Sequence, residues 1–270
     1  MRFEALDRLA GDLDLAAEPA LWELYHANSK LSPETARREA ETFAVSPYEL
    51  FVASRGFKQY RNAAAVELPT RQPPERTLDA VLMSRRSSRT LSGTVWLADL
   101  GTVLRQALGP SAIVADAERE VDQVLRTWPS AGGLYPLDAY LIAAGVDGLE
   151  PGAYHVNAIR QTLERLPAAA DARELLASAF FWQDFAVAAA AALVFVAAFD
   201  RTTAKYGERG YRLVLLDAGH AAQNVLLSAE QLGLGAVPIA GFNDDALEEL
   251  LALDGAGESV VHTILLGGPA

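Results

Sequence analysis

The 270-residue chain predicts an α+β fold, a mixed central β-sheet flanked by helices. Three observations carry this reading. Apolar runs of strand length lie at 138–145 ("DAYLIAAG"), 191–199 ("AALVFVAAF") and 260–267 ("VVHTILLG"). Helical patterns are interspersed with them, without the strict strand–helix alternation of a parallel sheet. Hydrophobic residues make up 51% of the chain, enough for a packed core, which excludes a disordered polypeptide.

The elements follow in chain order. "LWELYHANSKL" (21–31) reads as a helix. "SPETARREAETF" (32–43) opens another, with Ser32 as cap and Pro33 at the first helical position. "SPYELF" (46–51) repeats the device and adds Glu49 three residues after Ser46, a capping box. "LPTRQPPERT" (68–77) is a polar linker, because paired prolines favour extended chain. It separates an N-terminal helical segment with its linker, 1–74, from a main domain, 75–270. "TLDAVLMSRR" (77–86) places Leu78, Val81 and Leu82 on one helical face, and "LADLGTVLRQAL" (97–108) has the same periodicity. "FAVAAAAALVFVAAF" (185–199) reads as a helix end running into a buried strand. "LLDAGHAAQNVLLSAEQLG" (215–233) is apolar on most sides, hence central, with Gly233 as its C-cap. "GAVPIAGF" (235–242) reads as a short strand or loop, and "NDDALEELLAL" (243–253) as a capped amphipathic helix.

Charge and composition exclude several functions. The net charge of −12 argues against a broad nucleic-acid or anionic-membrane face. The absence of cysteine excludes disulfides, a thiol nucleophile, zinc–thiolate sites and iron–sulfur clusters. The start, "MRFEALDRLAGDLDL", carries acidic residues where a signal peptide needs an apolar core, and the longest apolar run is short for a membrane span. A soluble, cytoplasmic protein is expected. No G-x-G-x-x-G follows a strand, and no phosphate-binding G-x-x-x-x-G-K-[ST] or G-x-S-x-G elbow occurs. His26, His155, His220 and His262 lack metal-ligand spacing, so structural roles and no metal are expected. His220 shares a helix face with Asp217 and Asn224, which reads as a hydrogen-bonded buried stripe.

Four stretches carry candidate chemistry. "SRRSSRT" (84–90) clusters Arg85, Arg86, Ser87 and Arg89 in an acidic protein; guanidinium forks suit a phosphate, and a solvated basic turn looks the same. "TWPSAGGLYPLDAY" (127–140) sets small residues before a strand, where backbone can approach a flat ligand or simply turn. "GLGAVPIAGF" (233–242) is a second small-residue turn. "TTAKYGERGYR" (202–212) puts Lys205 beside Tyr206 among Arg201, Arg209 and Arg212: a base and acid over a cofactor, or a solvated loop.

In order along the chain, "RRSSR", "PSAGGLYP", "YHVN" (154–157), "KYGERGYR", "DAGHAAQNVLLSAEQLGLG" and "AGFNDD" resemble the SagB/ThcOx-type branch of the FMN-dependent nitroreductase superfamily. Its members are azoline dehydrogenases of thiazole/oxazole-modified peptide biosynthesis. The resemblance covers about residues 75 to 270, and "LWELYHANSKL" is similar to the region ahead of the core in that branch.

The resemblance implies a nitroreductase-like fold working as an intertwined homodimer with FMN at the interface. Arg85, Ser87 and Arg89, with Arg86 beside them, match the motif that holds the phosphate and ribityl end. Pro129, Ser130, Ala131, Gly132 and Gly133 match the loop along the isoalloxazine. Pro238, Ala240 and Gly241 match the turn that offers backbone to the flavin; the family often has glycine where this chain has Ala240, so a positive φ there would be costly. Many relatives carry a basic residue near the C-terminus, whereas this chain ends "LLGGPA". Lys205 and Tyr206 match the catalytic Lys–Tyr pair of the branch. Azoline aromatisation removes a proton from one ring carbon and a hydride from its neighbour, so the protein must supply a base while flavin takes the hydride. The implied partners are a second copy, a peptide substrate and a cyclodehydratase complex, with no nucleic acid and no membrane. The alternatives are an NAD(P)H-dependent nitro- or quinone-reductase of the same fold, and a flavin-free scaffold that binds peptide.

Overall fold

The computed structural model describes residues 20–34, 37, 57–116, 121–167 and 171–268. Helix α1 is Leu21–Asn28. The stretch 46–51 lies outside the described residues, as does most of 32–43. The domain is an α+β sandwich on a seven-stranded sheet. Its strands are β1 (Ala65–Glu67), β5 (Leu137–Ala143), β7 (Gly152–Asn157), β8 (Thr162–Arg165), β9 (Ala191–Ala198), β10 (Gly235–Ile239) and β11 (Glu258–Gly267), in the order β1-β8-β7-β5-β9-β11-β10. All six of its pairings are antiparallel. The parallel component of the mixed sheet expected from the sequence is confined to a separate pair, β2 (Val95–Trp96) with β6 (Val146–Asp147). A hairpin of β3 (Pro110–Asp116) and β4 (Val121–Arg126) stands apart from the main sheet.

The central strands read as unbroken apolar runs because both their faces are covered. On β9, Leu193, Phe195 and Ala197 enter one core while Ala192, Val194 and Val196 enter the other. This is the two-residue period of a strand dividing its side chains between two layers. The first core is roofed by α3 (Leu97–Leu108) and by α7 (Arg209–Leu232). The second is roofed by α4 (Ala172–Ala179), α5 (Asp184–Ala188) and α8 (Asp244–Leu251). Helix α2 (Leu78–Ser84) follows the linker, capped by the Thr77 side chain.

The linker is pinned along α3: the Arg71 amide donates to Thr102 Oγ1 at 2.9 Å, and the Arg71 guanidinium pairs with the buried Asp99. Strand β1 lies within the N-terminal segment drawn from the sequence and adds an edge to the main sheet. Among the described residues no helix is long and apolar enough to cross a membrane.

A buried polar knot closes the second half of the sheet. Glu164 accepts from Asn157 Nδ2 at 2.8 Å and from the Tyr60 amide at 2.9 Å, and its Oε2 lies 2.9 Å from His155 Nδ1. Burial pushes the Glu164 carboxyl up, but these hydrogen bonds outweigh it and hold the pKa below the ordinary value. Burial lowers His155, which favours the neutral ring in spite of Glu164.

Two outcomes follow for stability. Replacing the fully buried Phe195 by alanine should cost about 3–5 kcal/mol in urea unfolding; a loss well under 1 kcal/mol contradicts this core assignment. The knot adds stability that is intact above the reference histidine pKa of about 6.5 and drains away as pH falls through the depressed Glu164 value. His155→Gln with Glu164→Gln should therefore flatten the acid side of the stability–pH curve, and an unaltered curve contradicts the assignment.

Candidate functional site

Most of the stretch 202–212 is helical. Helix α6 (Asp200–Tyr206) carries Lys205 and Tyr206 in its last turn. Gly207 then breaks the helix at φ 54°, ψ −144°, a conformation only glycine adopts easily, and α7 begins two residues later. The start of α6 is fastened to β5 by a two-pronged ion pair, Arg201 to Asp138, at 2.8 and 3.3 Å. Arg209 and Arg212 hold α1 instead, donating to the Ser29 carbonyl at 3.1 Å and the His26 carbonyl at 2.7 Å. The three arginines that adjoin Lys205 in sequence thus serve the sheet and the N-terminal helix.

The small-residue turn comes to this pair. Ala131–Gly133 form one turn of 3₁₀ helix, with Gly132 at φ 63° and Gly133 at φ 65°. A Cβ on Gly132 would lie 2.7 Å from the Tyr206 hydroxyl and 3.0 Å from Lys205 Nζ. The turn is held from behind. The Tyr135 amide donates to Ser130 Oγ at 2.9 Å, and the Tyr135 hydroxyl accepts from the Arg126 amide at 2.9 Å. Tyr135 itself sits at φ 46°, strain for a bulky residue of the kind found at functional sites. The Arg126 side chain fills a cage of Phe57, Trp128 and Tyr135 rings at 4.6, 5.1 and 5.6 Å. Burial pulls its pKa down to about 10, which leaves it cationic at neutral pH.

The basic stretch and the second turn meet elsewhere. The Ser88 amide donates to the Ala236 carbonyl at 3.0 Å, laying residues 85–89 along the exposed edge of β10. Pro238 lies within β10; Ala240 and Gly241 follow it and are exposed. Ala240 does not have positive φ, so alanine carries no conformational cost there. Arg86 folds back onto the Met83 and Arg85 carbonyls at 2.9 and 2.8 Å, which turns its guanidinium toward the helix end. Arg89 lies over the Phe185 ring at 5.7 Å. Among the described residues, Arg85, Ser87 and Arg89 form no side-chain hydrogen bond or ion pair with protein groups. Helix α7 links the two clusters, since it packs on the 131–133 turn, on β10 and on α2.

The structure thus brings Gly132 beside Lys205 and Tyr206 and the 85–89 stretch beside β10, with α7 in contact with the glycine turn, β10 and α2. The residues present suit a flat phosphorylated cofactor such as FMN. Arg85 and Ser87 side chains without protein hydrogen bonds suit the phosphate, the glycine turn at 131–133 suits the ring, and among the described residues, Gly241's chain neighbours aside, no atom lies within 4 Å of where a Gly241 Cβ would be. The stripe read on α7 divides: Asp217 is buried, His220 is exposed, and Asn224 donates to the Thr127 carbonyl at 3.2 Å. Arg126, Tyr135 and Asp138 were missed in the sequence reading. Asp138, an acid opening the apolar run 138–145, was the visible signal.

The model of the nitroreductase family matches residues 82–268. The chain belongs to that family, and its fold and homology are those of an enzyme of the nitroreductase superfamily. It is 37% identical over 177 residues to a Methanocaldococcus jannaschii protein named for the nitroreductases, MJ1384, covering 65% of this chain and 84% of that one. It is 31% identical over 136 residues to the microcin B17-processing protein McbC of Escherichia coli, covering 48% of this chain and 50% of McbC. A crystal structure from Anabaena variabilis named in the same class superposes with a TM-score of 0.73 at 26% identity, over 92% of this chain and 46% of that chain. The chain thus spans about half the length of McbC and of the Anabaena protein.

Gly132→Ala should lower stability by about 1–2 kcal/mol, because the side chain meets both the left-handed backbone and the Lys–Tyr pair. An unchanged urea midpoint means that the turn does not press on Lys205 and Tyr206.

Proposed function

We propose that this protein is an FMN-dependent dehydrogenase that converts thiazoline or oxazoline rings in a peptide precursor to thiazoles or oxazoles. The observation that carries the reading is the contact of a glycine turn with a Lys–Tyr pair at the end of α6. Relatedness to McbC, whose name assigns it to microcin B17 processing, supports a peptide substrate over a free nitro compound.

In this reading Arg85, Ser87 and Arg89 bind the FMN phosphate by charge-assisted hydrogen bonds, the backbone of Pro129–Gly133 lies along the ring, and Pro238–Gly241 border it from β10. Bound FMN supplies the two-electron acceptor for the azoline hydride. Lys205 takes the ring proton at Nζ, and Tyr206, whose hydroxyl is beside the Gly132 backbone, orients the heterocycle or relays that proton. Helix α6 is fixed to the sheet by Arg201–Asp138, so the base is set by a strand rather than by a loop. The exposed Tyr211, Leu215 and Leu216 of α7 form an apolar strip that suits a second copy of the chain, giving a homodimer around the cofactor. The cyclodehydratase that makes the azoline is the further partner this chemistry calls for.

Lys205→Ala and Tyr206→Phe should both keep FMN and lose turnover of a thiazoline peptide. Parent-level rates in both variants overturn the catalytic assignment. Arg85→Ala and Arg89→Ala should each weaken FMN binding about 10- to 100-fold, as expected for losing a hydrogen bond to a charged group. Unchanged FMN titrations in both move the phosphate site elsewhere.

A further inference from the structure

Strand β4 reaches the region of the glycine turn at two points. The Arg126 amide donates to the Tyr135 hydroxyl at 2.9 Å, just past the turn. Three residues earlier on β4, the partly buried Gln123 touches the turn itself. Its Nε2 donates to the Gly133 carbonyl at 3.4 Å, a long hydrogen bond. Among the described residues this is the one hydrogen bond of the Gln123 side chain. The approach is close as well as polar: a Cβ on Gly133 would lie 2.6 Å from Gln123 Nε2 and would displace the amide. The neighbouring glycine faces other groups, since a Cβ on Gly132 would lie 2.7 Å from the Tyr206 hydroxyl and 3.0 Å from Lys205 Nζ. Two successive left-handed glycines, at φ 63° and 65°, are thus held between Gln123 and the Lys–Tyr pair. Gln123 belongs to the β3–β4 hairpin, where it pairs in register with Val114.

We propose that Gln123 is a positioning residue: its amide, carried by β4, holds the Gly133 carbonyl and so keeps the glycine turn against Lys205 and Tyr206. The role rests on the reading of Lys205 and Tyr206 as the chemical pair. Two adjacent glycines leave a turn free to move, so its place is set by what bonds to it from outside. The bond at Gly133 acts one residue from the contact at Gly132, and the Arg126 amide steadies the chain two residues further on. A glutamine suits the task because its amide donates without carrying charge. An ionised carboxylate of the same shape only accepts, and a methionine of similar length fills the space with no donor.

The chain has three lysines, Lys30, Lys58 and Lys205, so acetylation by a water-soluble acylating reagent can be followed residue by residue in the purified protein by mass spectrometry. Gln123→Met should raise the Lys205 acetylation rate about threefold relative to exposed Lys30, the size expected for losing one weak neutral hydrogen bond that keeps the turn over Nζ. Gln123→Glu should raise it at least as much at neutral pH, because its carboxylate faces the Gly133 carbonyl. Lys58, which is paired with Glu258 at 2.6 Å, should keep the parent rate in both variants. With a thiazoline peptide, Gln123→Met should lower kcat about threefold and leave KM nearly unchanged. Equal Lys205 rates in the parent and both variants overturn the positioning role. A matching rise at Lys58 also overturns it, since that reports loosening of the whole domain, and so does an effect confined to KM. Absence of azoline turnover in the parent protein defeats the functional reading alone, because the Lys205 rates still report whether the amide holds the turn.

Discussion

The contact between the Gly132 backbone and the Lys205–Tyr206 pair constrains the rest of the candidate site. A Cβ at that point would push the tips of the Lys205 and Tyr206 side chains aside, and the backbone is left-handed, so glycine is the residue the turn favours there. Each side of the contact is braced by something rigid. On one side Ser130, Tyr135 and the backbone of β4 fix the turn. On the other, α6 is fixed to β5 through Arg201 and Asp138. The result is a nucleus of polar groups set by a sheet and a long helix, which is how a fold places chemistry with precision.

The sheet supplies this rigidity because its middle strands are apolar on both faces. Strands β5 and β9 are buried along almost their whole length, and each divides its side chains between two helical layers. Helix α7 is the organising element of the first layer. It buries Val214, Ala218, Ala221, Val225 and Ala229 against the sheet and presents Tyr211, Leu215 and Leu216 outward. One helix thus packs the core, backs the glycine turn and reaches the basic stretch beside β10.

Much of this was legible in the residues. The helix 97–108 and the three apolar strands lie where their patterns predicted, because burial on one or both faces imposes a period that composition cannot hide. Asn243 caps α8 and Gly233 ends α7, as their residue types imply. The β3–β4 hairpin and the pairing of β7 with β8 were not drawn from the sequence. Their strands carry polar residues, and a pairing partner is a tertiary fact that local pattern does not encode. At the site, the glycines and the Lys–Tyr pair were visible as residue types, but their meeting was not. Lys205 and Gly132 are far apart in the chain, and only the fold converts that separation into contact. The arginines around Lys205 show the reverse error: neighbours in sequence, they reach the sheet and α1 because helical geometry turns them to other faces.

In the proposed reaction a flavin held by this chain accepts electrons from an azoline. Its most direct measurement is flavin absorbance after anaerobic mixing of the FMN-loaded protein with a thiazoline-containing peptide, beside the same mixing with NADPH. Rapid bleaching by the peptide is expected, with thiazole formed in proportion to flavin reduced, and little bleaching by NADPH. Rapid bleaching by NADPH with none by the peptide would contradict it and identify a nitro- or quinone-reductase. Protein that stays colourless after addition of FMN would contradict the flavin itself.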